Sequence, residues 1–272
     1  KLCHRYIQNN GLKIDFVASH GHTVFHQPKE GFTLQIGSGT AIASELNCPT
    51  IFDFRSQDVA LGGQGAPLVP IGDKLLFSDY DACVNIGGFA NISLTKQEER
   101  IAWDICPANI ILNPIAQKLG FDYDANGDLA RKGKVDAELL NGLNQLDYYY
   151  KKAPKSLGVE WVNIEFLKYI GKQEEVDLLA TLTHHIAESI SADLPVSGKV
   201  LFTGGGVKNK YLIELIKAKS KAEICIPNEL LIDFKEALIF AFLGVLRVNQ
   251  EVNVLSSVTG AIKNHCSGSV IS

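Results

Sequence analysis

The stretch ACVNIGGFANISLTKQEERIAWD, residues 82–104, decides the fold of this chain. It opens with an apolar run, residues 82–86, that a pair of glycines stops. Two further runs, residues 91–95 and 100–104, are separated by a short polar segment. Strand-forming runs of this length joined by tight turns predict a three-stranded antiparallel meander with a return at residues 97–99.

The residues after the meander alternate between helical and strand patterns. Apolar residues recur at helical spacing in residues 176–194, which predicts an amphipathic helix. The other predicted elements are helix 108–119, strand 200–203, helix 209–218, strand 223–227 and helix 235–248. This order is the layout of one ribonuclease-H-like half of an actin-like ATPase, so we predict that α/β fold. The polar residues 121–165 are predicted to be an inserted helical or irregular excursion.

The part before the meander is predicted to supply the end of a matching first half. Its predicted elements are strand 14–19, strand 33–36, helix 40–46 and strand 50–54. A glycine- and proline-rich loop at 61–70 follows, and we interpret it as the crossover between domains. The predicted division is a first, incomplete lobe at residues 1–78 and a second lobe at residues 79–272, whose C-terminal segment packs back on the first. Because Lys1 stands in what reads as mid-helix, we expect an N-terminal segment to be missing.

Composition narrows the class of protein. The net charge of -4 and the pI near 6.0 argue against a nucleic-acid partner, which normally requires a basic surface. No apolar run approaches the ~20 residues that span a bilayer, so no membrane association is expected. The six cysteines form no C-x-x-C pair and two of them lie in apolar runs, which favours reduced thiols in a cytoplasmic protein.

Two glycine turns are candidates for phosphate or nucleotide contact. Gly87 and Gly88 end the first meander strand, where backbone N–H groups can approach an anion, and a plain hairpin turn is the alternative. The three glycines at 204–206 follow a predicted strand and precede a helix that Asn209 would cap. A close crossing of strand and helix is the alternative there, and the G-x-G-x-x-G dinucleotide pattern is not met.

Asp104 closes the third predicted strand just before a helix. A carboxylate at that junction can accept a proton from a nucleophile or hold a metal-bound water. The alternative role is to cap the helix, although Pro107 makes Cys106 or Ala108 the more natural cap.

Two polar clusters stand at the ends of earlier strands. His20, His22 and His26 suggest a metal site, but no carboxylate or cysteine lies close by in sequence, so contact with a polar ligand is favoured. Residues 53–58 bring together two carboxylates, Asp53 and Asp58, and the guanidinium of Arg55. Carboxylate oxygens accept from sugar hydroxyls and a guanidinium binds a carboxylate, whereas a surface salt-bridge cluster is the alternative.

These stretches, in this order, resemble the anhydro-N-acetylmuramic acid kinase family along nearly the whole chain. The matching stretches are residues 19–28, 33–37, 53–70, 85–88, 154–158, 204–206 and 257–261. A loop as long as 61–70 is hard to match by chance. The resemblance implies a two-lobed actin-like ATPase fold, with the sugar and the hinge on the side of the first lobe and the nucleotide on the side of the second.

The resemblance also implies a reaction. These enzymes use ATP, Mg2+ and water to open the 1,6-anhydro ring of anhydro-N-acetylmuramic acid and to phosphorylate O6, which gives N-acetylmuramic acid 6-phosphate in cell-wall (peptidoglycan) recycling. By position, Asp104 would be the catalytic base. The ATP-binding residues would be Gly87, Gly88, Asn91, Gly204, Gly205, Gly206 and Asn209, and the substrate-binding residues would be His20, Gly21, Thr23, Asp53, Arg55 and Asn109. No metal-ligating side chain is implied, and a homodimer is the assembly expected by analogy.

The chain departs from the family pattern at several positions. The first phosphate loop of the family, a Gly-Thr-Ser-x-x-Gly turn, is absent, so this chain alone is expected to transfer phosphate poorly or not at all. The family has Asp-Thr-Gly-Pro-Gly-Asn where this chain has DICPAN at residues 104–109. Cys106 and Ala108 replace the two glycines and are expected to crowd a backbone approach to phosphate. His22 and Phe25 replace the usual glutamine and tryptophan.

Two other functions fit the same residues. One is a degenerate actin-fold protein that binds nucleotide or sugar without turnover. The other is a kinase of the same fold that acts on a different sugar. An upstream Gly-Thr-Ser-x-x-Gly turn in the full-length sequence would favour the enzyme, and a start codon near Lys1 would favour the degenerate binder. The most useful experiment is ADP release by the full-length protein with and without anhydro-N-acetylmuramic acid.

Overall fold

The computed structural model describes every residue of the chain, 1–272. Its backbone divides into two compact units, one made of residues 1–76 and 236–272 and the other of residues 77–235. The chain leaves the first unit after Leu76, beyond the loop at 61–70 that the sequence predicts as the crossover. No helix combines the length and the apolar character that a membrane span needs.

Regular structure alternates along the whole chain. The strands are β1 (Val17–Ser19), β2 (His22–Gln27), β3 (Phe32–Ile36), β4 (Thr50–Phe52), β5 (Ala82–Ile86), β6 (Phe89–Lys96), β7 (Glu99–Pro107), β8 (Lys199–Thr203), β9 (Glu223–Cys225) and β10 (Ser269–Ile271). The helices are α1 (Leu2–Asn9), α2 (Gly39–Leu46), α3 (Ser56–Ala60), α4 (Val69–Leu76), α5 (Asn109–Lys118), α6 (Ala137–Asn144), α7 (Asp147–Tyr150), α8 (Val159–Trp161), α9 (Glu175–Asp193), α10 (Lys210–Lys219), α11 (Glu229–Val248) and α12 (Ser256–Thr259). Short 3-10 turns and one π-helical turn, Val162–Phe166, connect several of them.

The second unit is built on a five-stranded sheet of order β7-β6-β5-β8-β9. β5, β6 and β7 pair antiparallel in sequence, which confirms the predicted meander, and β8 and β9 join parallel to β5. The return between β6 and β7 uses Gln97 and Glu98, both with positive φ (49° and 69°). Two consecutive residues of that hand match the twist of a hairpin, which explains why a tight return forms without glycine.

The predicted helix 176–194 is present as α9, and its apolar stripe lies in the core of the second unit. The stripe residues are all no more than 4% exposed: Leu178, Leu179, Leu182, Ile186 and Ile190. The predicted strand 223–227 is shorter, as β9, because its pairing with β8 covers only three residues. The insertion at 121–165 is helical in short pieces, as predicted. The α/β actin-like fold predicted from the order of elements is confirmed.

The first unit contains a three-stranded sheet and a separate hairpin. β4 is the central strand, parallel to β1 and antiparallel to β10, and β2 pairs with β3. The predicted strand 14–19 is shorter, since its pairing with β4 starts at Val17. The sequence prediction missed β2 because its exposed histidines hide the strand pattern, and it missed β10, which pairs only over three residues.

One helix of the first unit, α4, was not predicted, and α11, whose second part belongs to that unit, begins earlier than predicted. The loop at 61–70 ends earlier than expected, because Val69 already begins α4. α11 begins at Glu229, ahead of the predicted start at residue 235, and its residues from 236 onward belong to the first unit. There the stripe of buried side chains is Ile239, Phe240, Leu243 and Leu246. A Cβ on Gly72 would lie 2.7 Å from Ile239 Cγ2, so glycine permits α4 to pack closely on α11.

Candidate active site

Three turns lie at one edge of the five-stranded sheet of the second unit. β5, β7 and β8 run in the same direction, so their ends meet at that edge. The turns that follow them are Gly87–Gly88, Ala108–Asn109 and the glycines at 204–206. The two predicted glycine turns are therefore neighbours, although they are more than a hundred residues apart in sequence.

Backbone hydrogen bonds join the first two of these turns. The N–H of Ala108 donates to Gly88 O at 2.8 Å, and the N–H of Asn109 donates to Gly87 O at 3.1 Å. A Cβ on either glycine would meet no atom closer than 3.6 Å. The Gly87–Gly88 turn thus offers open backbone next to the first residue of α5.

The third turn uses its glycines for two different reasons. A Cβ on Gly204 would lie 2.6 Å from Ile86 O, and one on Gly206 would lie 2.2 Å from Ile86 Cγ2. These two positions need glycine because the chain crosses the end of β5 closely. A Cβ on Gly205 would meet nothing within 4 Å. The close crossing and the open backbone, the two alternatives of the sequence analysis, are both present.

A cleft of about 480 Å³ opens beside the third turn. It is lined by Asn109, Leu112, Asn113, Tyr123, Asp124, Ala125, Asn126, Gly205, Gly206, Lys208 and Asn209. Asn209 also caps α10, as predicted, because its Oδ1 accepts from the N–H of Leu212 at 3.0 Å. Asn109, which the resemblance implies for the sugar, lines this cleft together with residues implied for ATP.

Sequence reasoning missed two parts of this wall. Leu112 and Asn113 follow Asn109 by three and four residues on α5, and that spacing on one helix face could have revealed them. The turn that begins at Asp124 carries no such signal. Both carboxylate oxygens of Asp124 accept backbone N–H groups, from Leu129 at 2.8 Å and from Ala130 at 2.9 Å. The buried carboxylate therefore folds the turn.

The candidate base, Asp104, lies near the end of β7 beside a β-bulge. The register shifts there, because Asn91 pairs with Asp104 while the preceding Ala90 pairs with Cys106. Such a bulge changes the direction of the side chains around it. Asn91, implied for ATP, is thus the cross-strand partner of the candidate base. The carboxylate of Asp104 is partly buried, and burial raises its pKa, while a hydrogen bond from Leu157 opposes that rise.

The segment at 154–158, which the resemblance included without a role, holds Asp104 in place. The N–H of Leu157 donates to Asp104 Oδ2 at 2.8 Å. The N–H of Asp104 donates to Lys155 O at 3.0 Å, and the hydroxyl of Tyr148 donates to Asp104 O at 2.6 Å. The polar excursion therefore fixes both the backbone and the carboxylate of the candidate base.

The expected crowding by Cys106 and Ala108 is wrong. The two side chains are 0% and 1% exposed and belong to the hydrophobic core of the second unit. Neither residue lines the cleft. Since both side chains face inward, the replacement of the two glycines leaves the surface of the turn open.

The first unit has its own cleft of about 230 Å³. Its lining includes three of the residues implied for the sugar: His20, Gly21 and Asp53. Thr23 does not line the cleft, but its hydroxyl oxygen accepts from Nε2 of Gln35, a lining residue, at 3.4 Å. Asp53 Oδ1 accepts from the N–H and the hydroxyl of Ser56 at 3.2 and 2.6 Å.

Arg55 binds other residues of the first unit instead of lining the cleft. Its Nε and Nη2 lie 2.9 and 2.7 Å from His20 Nε2. Burial and the nearby charge of Arg55 lower the pKa of His20, so the neutral imidazole is favoured. Asp58 is fully buried, so its predicted part in a ligand-gripping cluster is wrong. No group of three or more histidine, cysteine or carboxylate side chains is arranged to hold a metal ion.

The meander with its parallel partners, and the three turns at its edge, define an α/β protein of the actin-like ATPase class. The sequence profile of the family described as anhydro-N-acetylmuramic acid kinase matches residues 2–272. The chain belongs to this family.

Curated relatives carry the same description. The chain is 38% identical over 280 residues to the anhydro-N-acetylmuramic acid kinase of Francisella tularensis subsp. novicida (strain U112). The aligned part covers 93% of this chain and 74% of that protein. It is 37% identical over 295 residues to that of Clostridioides difficile (strain 630), with 96% and 75% covered. It is 37% identical over 273 residues to that of Gloeobacter violaceus (strain ATCC 29082 / PCC 7421), with 92% and 72% covered. The family resemblance read from the motifs is confirmed.

Proposed function

We propose that the protein is an ATP-dependent kinase that opens the 1,6-anhydro ring of anhydro-N-acetylmuramic acid with water and phosphorylates O6, giving N-acetylmuramic acid 6-phosphate in cell-wall recycling. Membership of the family supports the reaction. The observation that links this reaction to a particular residue is the partly buried carboxylate of Asp104. Leu157 holds it by a hydrogen bond near the sheet edge where the three turns meet.

Asp104 is the general base in this proposal. Its carboxylate takes a proton from a water molecule whose oxygen bonds to the anomeric carbon, while the bond from that carbon to O6 breaks. Burial raises the pKa of the carboxylate, which makes it a stronger base than an exposed aspartate. The hydrogen bond from the N–H of Leu157 occupies Oδ2 and leaves Oδ1 to receive the proton.

The cleft beside the third turn fits a nucleotide. Gly205 exposes backbone into open space, which suits a phosphate group, and Leu112 and Tyr123 offer apolar and aromatic surface that suits a purine ring. O6, released from the anomeric carbon, would bond to the γ-phosphorus of ATP while the bond from that phosphorus to ADP breaks, and Mg2+ bound with the nucleotide would offset the phosphate charge. The residues that would hold ATP are Gly87, Gly88, Asn91, Gly204, Gly205, Gly206 and Asn209. We add Asn109 to this set, because it lines the same cleft.

The cleft of the first unit is proposed to contact the sugar. Oδ1 of Asp53 is engaged by Ser56, which leaves Oδ2 to accept a sugar hydroxyl. His20, Gly21, Thr23 and Arg55 shape the pocket in this proposal. We further propose that the two compact units correspond to the two lobes, that the protein is cytoplasmic, and that it acts as a homodimer.

The test is sugar-dependent ADP release by the full-length protein, with the phosphorylated product identified by mass. Asp104→Asn should lower kcat by about 10²–10⁴, the usual contribution of a general base, with little change in the KM for ATP. The matched control is Asp81→Asn. Asp81 stands at the other end of β5, where its carboxylate accepts from the N–H of Lys199 at 2.8 Å. If turnover is undiminished in Asp104→Asn, Asp104 is not the general base. If the wild type binds ATP but does not turn it over, the protein is the degenerate actin-fold binder.

A further inference from the structure

Asp58 is a fully buried carboxylate that joins two separate stretches of the first unit. Its Oδ2 accepts from the N–H of Gly65 at 2.6 Å, and its Oδ1 accepts from the hydroxyl of Thr259 at 2.7 Å. Nε2 of His265, itself 6% exposed, lies 3.6 Å from the same Oδ1. Neither the glycine-rich loop nor the stretch at 257–261 has a role in the proposed reaction so far, and Asp58 connects them.

The peptide of Gly65 is held from both sides. Its N–H donates to Asp58, and its carbonyl accepts from Nη1 of Arg55 at 2.5 Å. Gly65 has a φ of 67°, a conformation that suits glycine. The loop is packed tightly against the carboxylate as well, because a Cβ on Gly63 would lie 2.2 Å from Asp58 Oδ2. The position of Asp58 therefore sets the position of the Gly65 carbonyl that Arg55 binds.

Arg55 passes this constraint to the cleft. While Nη1 binds Gly65, Nε and Nη2 donate to Nε2 of His20 at 2.9 and 2.7 Å. Because Nε2 accepts, the proton of the neutral imidazole stands on Nδ1, which donates to Gly21 O at 2.9 Å. Both ring nitrogens of His20 are thus occupied within the protein. The ring also packs edge-on against Phe240, with centroids 4.5 Å apart.

The other end of the network reaches the C-terminal part of the chain. The carbonyl of Thr259 accepts from the N–H of Gln64 at 2.8 Å, and the carbonyl of Leu61 accepts from the N–H of Ile262 at 3.1 Å. The loop and the C-terminal segment are therefore joined by backbone bonds on both sides of the Asp58–Thr259 contact. A single carboxylate at the centre of these bonds fixes where the loop lies.

We propose that Asp58 is a positioning residue for the sugar-side cleft: through Gly65 and Arg55 it fixes the place and the tautomer of His20, and with them the His20–Gly21 turn that lines the cleft. This inference rests on the proposed function, because it assigns the cleft of the first unit to the sugar. It also changes the role of Arg55, which acts through His20 and not on the ligand. His20 offers the ligand a fixed ring surface, because its Nδ1 proton is donated to Gly21 O and its Nε2 accepts from Arg55.

The test compares Asp58→Asn with Ser267→Ala in the full-length protein. The amide nitrogen that Asp58→Asn introduces cannot accept a hydrogen bond, so either Gly65 or Thr259 loses its acceptor. Ser267→Ala is the matched control, since its fully buried hydroxyl donates to Phe54 O at 2.8 Å and forms no hydrogen bond to Asp58, to Gly65 or to the Arg55 side chain. Asp58→Asn should raise the KM for the sugar by about tenfold or more, as expected when a pocket group is misplaced, while the KM for ATP stays unchanged.

A second readout does not depend on turnover. The ring nitrogens of His20, observed by nitrogen-15 NMR, should report the Nδ1–H tautomer in the wild type and in Ser267→Ala. Asp58→Asn should convert this to a mixture of tautomers, and Arg55→Lys should do the same because lysine cannot donate two bonds in the guanidinium geometry. If Asp58→Asn does not fold, Thr259→Val removes one bond to Asp58 and should shift both readouts in the same direction by less.

The outcomes separate this inference from the function it rests on. A wild-type protein that never turns over the sugar rejects the proposed function, yet the tautomer of His20 still reports on the network. An unchanged His20 spectrum in Asp58→Asn overturns the positioning role, whatever the enzyme does. An unchanged KM for the sugar in a variant that loses as much thermal stability as Ser267→Ala overturns it too, since Asp58 would then be structural only.

Discussion

Gly204 and Gly205 are sequence neighbours, yet alanine should have opposite consequences at the two positions. A Cβ on Gly204 would lie 2.6 Å from Ile86 O and 2.7 Å from Asn85 Oδ1, and the residue has a φ of 84°. A Cβ on Gly205 would meet nothing within 4 Å and the backbone there is not left-handed. Gly204→Ala should therefore destabilise the fold, whereas Gly205→Ala should weaken only the binding of a ligand in the cleft.

The structure gives magnitudes for both. For Gly204→Ala, the backbone conformation at this position, φ 84° and ψ 162°, is one that essentially only glycine adopts, and it costs alanine about 1–3 kcal/mol. Crowding against the end of β5 adds about 1–3 kcal/mol, so the free energy of unfolding should fall by about 2–6 kcal/mol. For Gly205→Ala, no contact is made or lost, and the free energy of unfolding should stay within about 0.5 kcal/mol of the wild type. The added methyl group lines the cleft, so ATP should bind about tenfold more weakly, which corresponds to about 1.4 kcal/mol.

Denaturant unfolding measures the first quantity and calorimetric titration with ATP measures the second. Gly142→Ala is the control: this glycine lies within α6, and a Cβ there would come no closer than 3.6 Å to Tyr169. It should leave ATP affinity unchanged and raise stability by about 0.5–1 kcal/mol, because alanine favours the helix. If Gly205→Ala binds ATP with the affinity of the wild type, the proposal that the nucleotide binds in this cleft is wrong. Wild-type stability in Gly204→Ala would show that the crossing at Ile86 is not as close as the structure gives it.

Two further predictions concern Asp104 and its surroundings. As the pH is lowered, kcat should fall at a higher pH than it would with an ordinary aspartate as the base. The proposed base must be ionised to act, and burial raises the pKa of Asp104. The kcat–pH profile of the wild type measures this. For stability the sign is opposite: with the folded pKa above the unfolded value, the stabilising contribution of Asp104 is present below the unfolded pKa and is lost as the pH rises through the folded one. Asp104→Asn should therefore unfold at a higher temperature than the wild type at neutral pH, and a lower temperature would contradict the raised pKa. Tyr148→Phe removes the 2.6 Å hydrogen bond to Asp104 O, so it should cost about 0.5–1.5 kcal/mol of unfolding free energy and lower kcat several-fold. Tyr150→Phe, whose exposed hydroxyl donates to Gln145, is its control, and equal effects of the two variants on kcat would contradict the role given to Tyr148.

The parts of the fold that could be predicted from sequence are those specified locally. The apolar run at 82–86 is β5 residue for residue, because glycine stops it and turn residues bound it. The helix α9 was predictable because its buried stripe repeats at helical spacing over many turns. The neighbouring position of the two glycine turns followed from topology, since parallel strands of one sheet end at one edge.

The parts that could not be predicted depend on partners far away in sequence. Asp53 and Asp58 look alike in the chain, yet one lines a cleft and the other is fully buried. The difference lies in Thr259, two hundred and one residues beyond Asp58, which no local pattern reveals. Cys106 likewise reads as an obstruction in the motif, but its side chain lies in the core because of the bulge next to it. Burial of this kind is a property of the tertiary structure.

The insertion at 121–165 is the part of the second unit whose role changes most once contacts are known. The sheet edge by itself provides only open turns, which any ligand with a phosphate group could approach. The insertion adds the wall at Tyr123–Asn126 on one side and the hydrogen bond from Leu157 to the carboxylate of Asp104 on the other. Both the shape of the proposed nucleotide cleft and the basicity of the carboxylate therefore depend on the same excursion. Changes within it should alter nucleotide affinity and base strength separately, since different ends of the insertion supply them.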